Sequence, residues 1–303
     1  MTTGLATVRR VGLATVQDAG RPGLQEVGVP VAGAWHRGRY RLACALLAGD
    51  PDISMPTIEV LAGELDLYID RDVAVVVTGP ARAHLGRRTL ATGTVVLASA
   101  GSLVSIVPNG PGPIYVSISG WVPQGVLGSC STDTFSRLGG PALAVGDVLD
   151  GGTDPAALER VGWFHRPTTE PSGPIRVVAV DTDLAESFFA RRWRVDRMAR
   201  SGTRLRSAGW EGPSTSLESF PVLPGAIQLT PDHEAIVLGP DGALTGGYPV
   251  VGVVASIDLD RMSALAPGGE VTFAALDRRA AVALADVATR ARSRLLAHPS
   301  ALG

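Results

Sequence analysis

The chain has 303 residues, 45% hydrophobic and 18% charged, with a formal net charge of −2. That length accommodates two cores, and the near-neutral charge excludes a protein built to neutralise a phosphate backbone. All 27 basic residues are arginine, so no lysine Schiff base or lysine general base operates from this chain.

Two cysteines, Cys44 and Cys130, are too few and too far apart for a disulfide framework. The five histidines are scattered, and no metal site is expected. The first ten residues lack the charged start and apolar core of a signal peptide. The apolar runs fall far short of a membrane span, so the expected location is the cytoplasm.

In chain order, Gly20-Arg21-Pro22-Gly23, following Gln17-Asp18, reads as a β-turn with proline at its corner. Gln17, Asp18 and Arg21 are alternatively three polar groups on a tight loop beside a pocket. The spacing predicts a helix over 37–48, stopped by Gly49. β-branched runs at 73–78, 94–98, 103–107 and 113–118 predict short strands. Gly128-Ser129-Cys130-Ser131-Thr132-Asp133 is a hydroxyl-rich loop suited to binding anions or carbonyls, with Cys130 a weaker nucleophile candidate. No GxSxG elbow accompanies it. The proline-rich stretch 165–174 reads as a linker, giving lobes 1–165 and 166–303.

Further strands are predicted at 175–180, 226–229, 235–238, 249–257 and 270–273. Helices are predicted from Thr182-Asp183 through Trp193, and over 277–297. The second carries Leu284, Val287, Ala288, Ala291 and Leu295 as a stripe expected to pack in a core. Arg200 and Arg204 flank a glycine. They read either as surface charge on a strand and turn or as a grip for a carboxylate or phosphate. Asp241 is an acid/base or turn candidate. Thr245-Gly246-Gly247-Tyr248-Pro249 offers two glycines that permit positive φ and close ligand approach, with the Tyr248 hydroxyl at the rim. Many short strands between turn residues predict a mostly-β protein with a few helices.

Several segments in order carry a family resemblance. They are Thr15 to Gly23, Gly28 to Ala34, Ile58-Glu59, Leu127-Gly128-Ser129, Leu138-Gly139-Gly140 and Val145 to Leu149. In the second lobe come Arg200 to Leu205, Pro224 to Gln228, Thr245 to Pro249 and Pro267-Gly268. Together they resemble the allophanate hydrolase subunit 2 family (the KipA group, with PxpC, the C component of 5-oxoprolinase), taken as subdomains C and D of the carboxyltransferase domain. The resemblance implies two β-barrel lobes of cyclophilin-like fold and a smaller KipI/PxpB-like partner. It also implies an amide, lactam or carboxylate ligand, with ATP used through the complex. Biotin serves some members, but a chain without lysine cannot carry it. The site residues this implies are Asp18, Asp241 and Tyr248 for catalysis, and Gln17, Arg21, Arg200, Arg204, Gly246, Gly247, Ser129 and Ser131 for binding.

The sequence departs from the family pattern at polar positions. His36 stands for an aspartate, Cys130 for an arginine, Ala199 for an aspartate and Ala264 for a glutamine. Ala243 replaces a glutamine or proline, and His233 a turn glycine. Besides the hydrolase component, a repurposed enzyme with a less polar pocket and a non-catalytic KipA-like regulator are therefore alternatives.

Overall fold

The computed structural model describes residues 3–165, 171–180, 182–213, 216–296 and 300–301. It is mostly strand, 38%, with 17% helix, and forms two nearly closed, barrel-like sheets. Contacts divide the chain into two units. Unit 1 comprises Met1–Arg21, Ala32–Thr169 and Arg292–Gly303, and unit 2 comprises Pro22–Val31 and Glu170–Ala291. The predicted linker overlaps residues 166–170, which lie outside the described residues. No helix among the described residues is long and apolar enough to cross a membrane.

The sheet of unit 1 has nine strands: β1 (Thr3–Gln17), β2 (Thr57–Ile69), β3 (Val73–Thr78), β4 (Ala81–Leu85), β5 (Arg88–Leu90), β6 (Val95–Ala98), β7 (Leu103–Pro108), β8 (Ile114–Ile118) and β9 (Val148–Gly151). Their order is β5-β4-β7-β2-β8-β3-β6, with β1 pairing both β2 and β9. One face is apolar: Ala14, Val16, Ile58, Val60, Val75, Val77, Ile114, Val116 and Ile118 belong to one buried core. Helix α1 (Arg37–Ala48) packs on the other face, placing Leu46 and Leu47 against Ala74 and Val76. The predicted helix and its stop at Gly49 match the structure. A short α2 (Pro155–Leu158) follows, and β10 (Trp163–Phe164) pairs with β21 (Ser300–Ala301).

The sheet of unit 2 has eight strands: β11 (Ile175–Ala179), β12 (Trp193–Ala199), β13 (Gly202–Arg206), β15 (Ala226–Leu229), β16 (Ala235–Leu238), β18 (Val250–Val254), β19 (Glu270–Val271) and β20 (Phe273–Ala275). They run β19-β12-β13-β16-β15-β18-β11-β20. Strands β14 (Phe220–Pro221) and β17 (Thr245–Gly246) form a separate ribbon.

Helix α3 (Thr182–Phe189) stops short of the predicted end at Trp193. Trp193 instead opens β12, fully buried, and stacks on Phe188 with ring centroids 4.5 Å apart. Its indole N–H donates to the Phe188 carbonyl at 3.1 Å, so aromatic packing reverses the chain where helical periodicity alone would continue. After α4 (Leu259–Ser263), helix α5 (Arg278–Leu296) begins at Asp277, whose carboxylate accepts from the Arg279 and Ala280 backbone N–H groups. Its predicted core stripe is not a core: Val287 is 59% exposed, and Leu284 and Ala288 are only half-buried. Ala291 and Leu295 lie where side chains are not described.

Candidate functional site

The end of β1 carries the first polar groups of the site. Thr15 and Gln17 share one face by the two-residue period of a strand, and their apolar neighbours Ala14 and Val16 take the other. Register places Glu59 beside Thr15, Thr57 beside Gln17, and Tyr115 beside Glu59. Thr15, Gln17, Thr57, Glu59, Tyr115 and Ser117 are each 0% exposed. A sheet face that α1 elsewhere covers with apolar side chains is thus polar here, yet as dry as the core.

Loops supply the partners that such burial requires. Glu59 Oε2 accepts from the Tyr115 hydroxyl at 2.6 Å and from the Trp35 backbone N–H at 2.8 Å. The Tyr115 oxygen in turn accepts from His36 N–H at 2.7 Å. Ser117 Oγ donates to Thr57 Oγ1 at 2.8 Å. Glu59 lies in a resemblance segment and His36 is one of the departures, but none of these residues is among the site candidates named from sequence. The signal was present in Thr57-Ile58-Glu59-Val60, where polar residues recur every second position of an apolar strand.

Asp18 pins a second loop. One carboxylate oxygen accepts from the Ser129 hydroxyl at 2.5 Å, the Ser131 hydroxyl at 2.6 Å and Gly20 N–H at 2.8 Å. The other accepts from Cys130 N–H at 2.8 Å and the Cys130 thiol at 3.2 Å. Burial works to raise the Asp18 pKa, but the hydrogen bonds from Ser129, Ser131, Gly20 and Cys130 outweigh it and hold it below the ordinary carboxylate value. Asp18 is therefore an ionised anchor for residues 129–131. Burial and the neighbouring Asp18 charge push the Cys130 thiol well above its ordinary value, the opposite of what a nucleophile needs.

Arg21 holds the same loop from its carbonyl side. Its Nε donates to Val126 O at 3.0 Å, and Nη2 donates to Ser129 O at 3.1 Å and Ser131 O at 2.8 Å. Gln17 Nε2 donates to Thr132 O at 2.9 Å and to Thr15 Oγ1 at 3.0 Å. Three buried polar atoms of this cradle have no hydrogen-bond partner among the described residues: Gln17 Oε1, Arg21 Nη1 and Thr132 Oγ1. They offer one acceptor, one donor and one hydroxyl.

Gly139 shows how tightly the loop is closed. It adopts φ 85°, and a Cβ there would lie 2.0 Å from Ser131 O and 2.9 Å from Arg21 Nη2. Gly139→Ala is expected to lower the melting temperature by several degrees and to speed hydrogen exchange at 129–132, through αL strain plus a backbone clash. An unchanged exchange pattern would contradict this picture of the loop.

In unit 2 the predicted arginine grip is satisfied internally. Arg200 Nε and Nη2 donate to the two Asp241 oxygens at 2.8 and 2.6 Å, with side chains 1% and 0% exposed. Arg204 donates to Glu234 at 2.7 Å, and Arg206 pairs with the same carboxylate. Burial raises the Glu234 pKa, but these arginines more than reverse it and hold it below its ordinary value. Asp241, taken from sequence as an acid/base candidate, thus has both oxygens on Arg200.

Neither Gly246 nor Gly247 adopts the positive φ that the sequence suggested. Their missing side chains serve close packing instead. A Cβ would fall 2.1 Å from Gln228 Nε2 at Gly246 and 2.8 Å from Leu217 O at Gly247. Tyr248 is 36% exposed. The structure therefore gathers Gln17, Asp18, Arg21, Ser129 and Ser131 into one cradle in unit 1. Arg200, Arg204, Asp241, Gly246, Gly247 and Tyr248 lie in unit 2.

Two departures from the family pattern acquire local explanations. His36 is the N-cap of α1, its Nδ1 accepting from Arg39 N–H at 3.2 Å, so an imidazole does the capping work open to an aspartate. His233 holds φ 59°, a conformation glycine adopts freely, and its Nδ1 accepts from Gly212 N–H at 3.2 Å. Ala199 and Ala243 are exposed, and Ala264 is half-buried.

These features define a two-sheet β protein with a buried polar sheet face closed by anchored loops. The pattern of the carboxyltransferase domain, subdomain A and B, matches residues 27–275. The chain belongs to that family; the subdomains are A and B, where the resemblance read from sequence named C and D. It is 26% identical over 260 residues to the C component of the 5-oxoprolinase of Escherichia coli K12, covering 81% of this chain and 83% of that protein. Urea amidolyase of Saccharomyces cerevisiae is 29% identical over 286 residues, covering 82% of this chain and 15% of that protein. The crystal structure of TTHA0988 superposes with a TM-score of 0.76 at 25% identity, over 89% of this chain and 55% of that one. That of Kluyveromyces lactis urea amidolyase gives 0.81 at 24% identity, over 97% and 20%. This chain thus spans about half of TTHA0988 and a small part of the urea amidolyases.

Proposed function

We propose that this chain is the larger component of a heteromeric, 5-oxoprolinase-type complex that opens an amide or lactam at the expense of ATP. The observation that carries the reading is chemical. A lactam presents a carbonyl acceptor beside an N–H donor, and the cradle holds an unpaired donor, Arg21 Nη1, with an unpaired acceptor, Gln17 Oε1. Because those atoms are buried, the proposal requires loop 126–133 to part for the ligand and reclose over it. Asp18, Ser129 and Ser131 act as positioning residues for that loop. The likeness to the C components of 5-oxoprolinases, over most of both chains, supports the same substrate class.

ATP and a smaller KipI/PxpB-like protein enter as parts of the complex, which works in the cytoplasm. In unit 2, the Arg200–Asp241 pair holds the turn that precedes Thr245-Gly246-Gly247-Tyr248. The test is ATP turnover by the purified heteromer with and without 5-oxoproline. Lactam-dependent turnover is expected, and no turnover with both proteins present would sink the proposal.

A second reading, a repurposed enzyme, is favoured by the alanines at 199 and 243, both exposed beside the Arg200–Asp241 turn. Under that reading Ala199→Asp weakens binding of the native ligand; tighter binding would count against it.

A further inference from the structure

Two arginines of β12, Arg194 and Arg197, have no carboxylate partner among the described residues and lie one strand upstream of the predicted grip. An open groove of about 1020 Å3 in unit 2 is lined by Arg191, Arg192, Arg194 and Arg206, with Asp196 and Glu270 as its acids. Four cations against two anions leave a local charge of +2 in a chain whose net charge is −2. Burial alternates along β12, with Trp193 and Val195 in the core and Arg194 and Asp196 outside. Register then sets Arg194 directly opposite Arg206, and Arg197 directly opposite Arg204. Like charges facing each other across a ladder oppose strand pairing, so their placement calls for a counter-charge.

The protein supplies only part of it. Buried Glu234 serves Arg204 and Arg206. Arg192 reaches Glu270 at 3.5 Å and Arg206 reaches Asp196 at 3.8 Å, both as exposed pairs that exchange easily with another anion. Among the described residues Arg194 makes no ion pair or side-chain hydrogen bond, and neither does Arg197. A Cβ on Gly268 would lie 3.7 Å from Arg194 Nη2, so that guanidinium runs along a bare turn at the groove wall.

We propose that this groove binds an anion carrying two or more linked phosphates, with Arg194 as its principal contact and Arg192 and Arg206 flanking it. Guanidinium forks match phosphate oxygens in pairs, and cations spread along a strand suit a chain of phosphates better than one carboxylate. This inference stands apart from the lactam reading, because its readout is equilibrium binding to this chain alone.

Calorimetric titration with tripolyphosphate, ATP and adenosine tests it. Tripolyphosphate and ATP are expected to bind, more weakly as salt rises, and adenosine is not. Arg194→Ala is expected to weaken both by about tenfold or more, Arg194→Glu further, and Arg88→Ala, an exposed arginine of unit 1, not at all. Arg194 is exposed, and matching unfolding curves will show that its variants fold. ATP binding tighter than tripolyphosphate marks a nucleotide as the natural source, and equal binding marks a bare phosphate chain. Absence of tripolyphosphate binding at millimolar concentration, or binding unchanged by Arg194→Ala, overturns the proposal.

Discussion

Asp18→Ala is expected to destabilise unit 1 by about 3–5 kcal/mol, because it strands several buried donors at once. The Ser129 and Ser131 hydroxyls, Gly20 N–H and Cys130 N–H all end on this one carboxylate. Hydrogen bonds to a charged acceptor are the stronger kind, and in the loop they secure Leu127 and Phe135 are exposed, leaving Cys130 as its residue in the hydrophobic core. Asp18→Asn keeps the shape but points an NH2 at hydroxyls that now donate, so it recovers only part of the loss. The acid limb carries the same signature. A carboxylate whose folded pKa is depressed stabilises the fold above its unfolded value near 3.8. That contribution disappears as pH falls below about 4 and the folded group titrates. Thermal unfolding between pH 7 and pH 2 should show a steeper acid loss for the wild type than for Asp18→Asn. Equal melting temperatures for wild type and Asp18→Ala would contradict the anchor.

Breaking the Arg200–Asp241 pair from either side is expected to cost about 3–5 kcal/mol, since each single change leaves a buried charge without its counter-ion. Both side chains are almost wholly buried, and the two hydrogen bonds are parallel and short. Backbone bonds join the same turn, with Asp241 N–H donating to Arg200 O at 3.1 Å and Gly239 N–H to Ser201 O at 3.2 Å. The double change Arg200→Met with Asp241→Leu should regain most of the loss, because two apolar side chains need no compensation. Denaturant titration of the four proteins gives the coupling directly. A double variant whose loss equals the sum of the two single losses would show that the pair is not energetically linked.

What could be read from the sequence follows physical range. Helix 37–48 and the Val- and Ile-rich strands were legible because their signals are local, in a stop glycine and in β-branched runs. β1 and β2 were not, because residues such as Thr7 to Gly12 and Leu61 to Glu64 mix arginine, glycine and alanine. Register shifts along their pairing further break the alternation. α3 ended early because Trp193 packs on Phe188, a contact that periodicity does not encode.

For the site, the loop 17–21 and the hydroxyls of 129–131 were found by composition, and the structure brings them together across more than a hundred residues of chain. The partners of Arg200 and Arg204 lie 41 and 30 residues away, and no spacing rule points to them. That Arg194 and Arg197 of β12 lack a carboxylate emerges only once those pairings are known.

The central claim is that the unit 1 cradle receives the lactam, and hydrogen–deuterium exchange on the reconstituted complex tests it most directly. Adding 5-oxoproline with ATP is predicted to slow exchange at residues 17–21 and 126–133, and Gln17→Ala to abolish that slowing. Protection confined to other segments, with 126–133 unaffected by the lactam, would contradict the account.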